Sequence, residues 1–128
     1  MPIRAALNKF ISIFRIELQD LEADINDLLE ILEKRKDGHE ITNYVYMGNK
    51  GVLLNEISCV EELLDGIGTI DACRYESVEA MISDVKKMLD HKIKNCAFPE
   101  AVHNLVQRKL EKVCTYVMGP EKPEKAQR

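Results

Sequence analysis

Spacing decides which chemistry is open to the titratable and nucleophilic residues of this chain. Glu100 and His103 lie three residues apart, which on a helix places a carboxylate and an imidazole on one face, in position to hold a metal ion together. A carboxylate metal site in a helical bundle needs a second such pair and two further core glutamates. Neither His39 nor His91 has a glutamate three residues earlier, and the acids of the N-terminal segment fall mainly off its apolar positions. No metal centre is expected. Cys59, Cys73, Cys96 and Cys114 contain no C-x-x-C pair and read as reduced thiols that behave as small core hydrophobes. Nucleophilic catalysis requires a thiol or hydroxyl within reach of a base. Cys96 is five residues from His91 and would point elsewhere on a helix, while Cys114 is about three turns from His103. Gly48-Asn49-Lys50-Gly51 lacks the spacing of a phosphate-binding loop. The chain therefore reads as non-enzymatic and without a cofactor.

One stretch carries a different possibility. His91-Lys92-Ile93-Lys94-Asn95-Cys96-Ala97 puts a histidine on a helix face with Lys94 one turn later. These residues resemble the phospho-accepting site of histidine phosphotransfer domains, which are also helical bundles. The resemblance implies His91 as the phospho-acceptor and Lys94 as the group that steadies the incoming phosphoryl. The sequence departs from that family at Asn95, where a small glycine is usual, at Pro99, which breaks the helix, and in the length of its first helix. Phosphotransfer is thus the alternative to the reading built on the helices themselves.

Any of these groups must be positioned by a helical scaffold. Leu7, Ile11, Phe14, Leu18, Leu21, Ile25, Leu28 and Leu32 repeat at 4,3,4,3,4,3,4, which keeps one seam of an α-helix facing partner helices. A strand, repeating every two residues, cannot produce it. The spacing predicts a helix from Pro2 to Lys36, about 50 Å long, ended at Asp37-Gly38 by a glycine in the left-handed conformation. Ile3, Phe10, Ile13 and Ile16 lie outside the seam and predict that the first half is buried on more than one side. Parallel self-pairing would set Glu17 against Glu22 across the seam, like charge against like. Antiparallel partners are expected instead, the first of them the chain's own next segment.

That segment, 39–70, carries Leu53, Ile57, Val60, Leu64 and Ile67 at helical spacing, with Gly66 and Gly68 marking its end. Residues 41–52 admit two readings. Ile41 to Met47, the glycine-flanked turn 48–51 and Val52 could form a β-hairpin. Against that, Ile41, Val45, Gly48 and Val52 sit at helical spacing, and a lone two-stranded hairpin is marginal in water. Continuous helix is the reading adopted. Tyr44 and Tyr46, in an amide-rich stretch, are a candidate surface cluster for binding. Ser77 is the N-cap of a third helix facing inward through Val78, Met81, Ile82, Val85, Leu89, Ile93 and Cys96. After the break at Pro99, a fourth faces inward through Val102, Leu105, Val106, Leu110, Val113 and Val117 and closes at Gly119-Pro120. The bases of these two helices, Lys92, Lys109 and Lys112 among them, complement the acids of the first.

These elements make one all-α domain over residues 1–119, an antiparallel three- or four-helix bundle built on the N-terminal helix, with 120–128 a disordered tail. Composition agrees: 45% of residues are hydrophobic and 31% charged, and no apolar run approaches the roughly 18 residues of a membrane span. A net charge of −4 supplies no field to attract nucleic acid. With no secretory h-region at the start, a cytoplasmic location is expected. The expected function is a protein interaction or assembly module whose partner is a second copy. The seam spans some 40 Å, more than a twenty-residue helix covers, and the remainder would be an apolar patch of the kind monomers rarely expose.

Overall fold

The computed structural model describes residues 2–71, 74–95 and 100–119. They form four helices: α1 (Pro2–Asp37), α2 (Asn43–Gly68), α3 (Val78–Asn95) and α4 (Glu100–Met118). The architecture is the expected all-α antiparallel bundle built on α1. Residues 43–52 belong to α2, so the hairpin alternative is excluded. Thr42 caps that helix, its hydroxyl accepting from the Val45 N–H at 3.1 Å. The glycines in its first half, Gly48 and Gly51, cost about 1 kcal/mol each, which packing of Tyr46 and Leu53 against α1 offsets.

The inward face of the first half of α2 differs from the one anticipated. Val45 and Val52 are exposed and Ile41 lies before the helix, while Tyr46 is buried and Leu53 half-buried. Tyr46, Leu53, Val60 and Ile67 are seven residues apart and make one straight inward stripe. A shift of one residue turns a helix face by about 100°, and the buried Val60 and Ile67 decide which register wins. The α1 terminus also departs from expectation. Its left-handed residue is His39, at φ 61°, not Gly38. The Glu40 N–H reaches the Arg35 carbonyl at 2.8 Å and the His39 N–H reaches that of Lys36 at 3.0 Å. That Schellman pattern demands the positive φ one residue beyond the glycine.

α1 and α2 form an antiparallel hairpin, and the shorter helices flank its base. α3 lies along α2, with Lys92 Nζ 3.5 Å from Glu62 Oε1. Gly66 faces α3, where a Cβ would sit 2.7 Å from Lys92 Cε and displace that lysine side chain. α4 runs antiparallel to α1: Lys109 and Lys112 each reach Glu17 at 3.0 Å, and Lys9 lies over the Tyr116 ring at 4.9 Å. The anticipated pairing of bases with the acids of α1 therefore holds for α4, whereas Lys92 of α3 pairs with α2. Ser77 caps α3 as expected, its Oγ accepting from the Ala80 N–H at 3.0 Å. Gly119, at φ 85°, closes α4 as expected.

The core draws Leu7, Phe10, Phe14, Leu18, Leu21 and Ile25 from α1, with Val60, Leu63 and Ile67 from α2, and is completed by α3 and α4. Phe10 is buried as anticipated and Ile13 half-buried, but Ile16 and Leu105 are exposed because no helix passes over them. The Ile3 side chain, Cys73, Cys96, Pro99 and the tail 120–128 lie outside what is described.

Two carboxylates on α1 have opposite linkage to pH. Hydrogen bonds from Lys109 and then Lys112 hold Glu17 below its usual range. Its stabilisation is present above the unfolded pKa and is lost as pH falls through the folded one. Glu22 is pushed up, first by burial and then by its hydrogen bond and repulsion with Glu61. Its ionised form therefore opposes folding at neutral pH. Glu22→Gln is expected to raise the urea midpoint at pH 7, with the gain over the parent vanishing below about pH 4. Because a non-glycine residue at positive φ costs about 1 kcal/mol, His39→Gly should raise the calorimetric melting temperature by about 4 °C.

Candidate functional site

Beyond Ile25 of α1 the four-helix core ends, and α1 and α2 continue with only each other. A polar clasp closes one side of this distal hairpin. The buried Tyr46 hydroxyl donates to Glu33, Lys50 Nζ donates to that hydroxyl at 3.1 Å and lies 3.8 Å from the same carboxylate, and Lys36 sits over the ring at 4.6 Å. The tyrosine hydroxyl, chiefly, raises the Lys50 pKa. Tyr46 is thus no surface residue, correcting the sequence expectation. Its ring is needed to cover α1 where no third helix does. Tyr44, two residues earlier, points away and is 87% exposed.

The other side of the hairpin is open. Leu28, Ile31, Leu32 and Arg35 of α1 with Asn49, Val52 and Leu53 of α2 line a groove of about 300 Å³. Leu28 is 49% exposed, Ile31 51% and Val52 53%. Of the seam residues, Leu7, Phe14, Leu18, Leu21, Ile25 and Leu32 are buried and Ile11 is half-buried, so the chain's own helices cover most of it. Leu28 is the exception. A single neighbour, α2, screens one flank of α1 there, and Leu28 projects from the other. Ile31 and Val52 were not anticipated as site residues. Ile31 is an apolar residue off the predicted seam, which is the signal that marks it, whereas Val52 was expected to face inward and the register of α2 leaves it exposed.

The remaining candidates are placed apart from this groove. His91 and Lys94 are exposed on α3, one turn from each other; the Asn95 side chain lies outside what is described. Glu100 is exposed at the start of α4, and the half-buried His103 has its Nε2 3.4 Å from Gln107 Nε2. Among the described residues no three of His, Cys, Asp and Glu converge as metal ligands. Cys59 is buried in α2, and burial pushes the half-buried Cys114 thiol of α4 above its usual pKa, toward the unreactive protonated form. Among the described residues no helix is long and apolar enough to cross a membrane. Comparison with models of known families, with curated proteins and with solved structures gives no significant match. Function must therefore be argued from this surface alone.

The clasp is the polar tie that holds the distal hairpin closed behind the groove. Tyr46→Phe keeps the ring and removes the hydroxyl, which is expected to cost about 1 kcal/mol locally. Amide hydrogen exchange over residues 43–50 should then accelerate about fivefold, while exchange at the base of the bundle stays unchanged.

Proposed function

We propose that the protein is a cytoplasmic, non-enzymatic interaction module that assembles with a second copy of itself through the distal α1–α2 hairpin. The observation that carries this reading is the open groove, where Leu28, Ile31 and Val52 each leave about half of their surface in water. Three aliphatic side chains grouped in a concave surface and rimmed by polar ones have the composition of a binding patch, and their covering would remove apolar area from water. The groove holds no cluster of titratable groups aimed into it, which supports binding rather than chemistry.

A phosphotransfer reading has one observation in its favour: His91 and Lys94 both face solvent one turn apart on α3, as an acceptor and its supporting cation would. It predicts that His91, not the groove, governs activity. Light scattering coupled to size exclusion, over roughly 10 to 500 µM, separates the two. Assembly predicts a mass of twice 14.7 kDa, reduced to a single chain by Leu28→Asp with unchanged far-UV circular dichroism, and unaffected by His91→Ala. A parent protein that stays at 14.7 kDa over the whole range would sink the assembly reading.

A further inference from the structure

Resting on that assembly reading, we propose that the second copy docks antiparallel on the distal part of α1, about a two-fold axis midway between Leu28 and Ile31. Leu28 then packs on Ile31 of the second copy, and Asp24 pairs with its Arg35.

The stripe in question continues an interface that already exists within the chain. Phe10, Phe14, Glu17 and Leu21 follow one another at 4,3,4 spacing along the side of α1 that faces α4. Phe10, Phe14 and Leu21 are buried there, and Lys109 and Lys112 of α4 neutralise Glu17. The same spacing carries on through Asp24, Leu28, Ile31 and Arg35, all exposed. α4 begins at Glu100, and the core it helps build ends at Ile25 on α1. A helix face built to be covered therefore runs on from Asp24 to Arg35 without its cover.

What fits that face can be read from its order. Along α1 it reads acid, Leu, Ile, base, and in reverse it reads base, Ile, Leu, acid. Laid antiparallel on a copy of itself, every apolar residue meets an apolar one and every charge meets its opposite. That self-complementarity is what a two-fold interface requires, because each contact occurs twice. A parallel copy would set Asp24 on Asp24 and Arg35 on Arg35. On the α2 flank the exposed Val45, Asn49 and Val52 carry no charge that would reject the incoming helix. Arg35 lies 3.6 Å from Glu40, but both side chains are more than half exposed, and such a pair is readily exchanged for one shielded from water.

Charge reversal in the full-length chain tests the orientation, with dimer dissociation constants measured by sedimentation equilibrium. Asp24→Arg and Arg35→Asp each place two like-charge contacts in an antiparallel dimer and should weaken it about tenfold or more. The double variant reverses both signs and should return to within about threefold of the parent. Circular dichroism checks that these exposed substitutions leave the fold intact. A parent dimer indifferent to the single reversals, or a double variant as weak as the singles, overturns the antiparallel docking and leaves self-assembly standing. A monomeric parent overturns both.

Discussion

The constraint on which this structure depends is one of length. α1 has 36 residues and spans about 54 Å, whereas α3 and α4, of 18 and 19 residues, span about 28 Å each. Two short helices can therefore wall only about half of the long one. They gather around its N-terminal half, where the aromatic pair Phe10 and Phe14, 5.9 Å apart between ring centroids, supplies the bulk that a four-helix core needs. The distal half is left to α2 alone. One neighbour can bury one flank of a helix, so the other flank keeps whatever residues the heptad put there. Leu28 and Ile31 are those residues.

Electrostatics follow the same division. At the base, Glu17 sits between two lysines of α4, and its charge is compensated inside the chain. One and two turns further on, Glu22 meets Glu61, an acid of α2 where a base would be favourable, and Asp24 is exposed. The clasp around Tyr46 shows how the distal hairpin stays closed without a third helix. A ring covers α1, a carboxylate accepts a hydrogen bond from its hydroxyl, Lys50 compensates the carboxylate, and Lys36 sits over the ring. Polar contacts at the hairpin's side thus substitute for the apolar core that exists at its base. In the proposed assembly the open flank gains its cover from a second copy, whose sequence order supplies the missing opposite charge.

Much of this was legible beforehand. The unbroken 4,3 repeat of α1 located the long helix because a heptad spread over eight positions leaves no other periodic element that could carry it. The caps at Ser77 and Gly119 were legible for a local reason: a hydroxyl that accepts from the third residue on, and a glycine that tolerates a positive φ, act within one turn. Helix was also the better reading of 41–52, since a hairpin there would have had no sheet to join. Its inward face was not legible. Val45 and Val52 matched the expected apolar spacing better than Tyr46 did, yet Tyr46 is buried, because the rotation of a helix about its own axis is set by the neighbour that covers it. Burial of Leu28 was wrongly anticipated for the related reason that a repeat says which residues share a seam, not how far along the seam a partner extends.

By itself, then, the sequence determined the elements: helices where α1 to α4 stand, the ends of α1, α3 and α4 to within a residue or two, and an apolar seam along α1 longer than a twenty-residue helix could cover. These follow from local periodicity and from capping chemistry, which act within one or two turns. Only the tertiary structure decided which face of α2 turns inward, that Glu17 is neutralised by α4 while Asp24 is not, and that Leu28, Ile31 and Val52 are left together in one open groove. Those outcomes rest on contacts between residues up to 95 positions apart, such as Glu17 with Lys112. They depend on where each short helix starts and stops against the long one, a relation that no local pattern encodes.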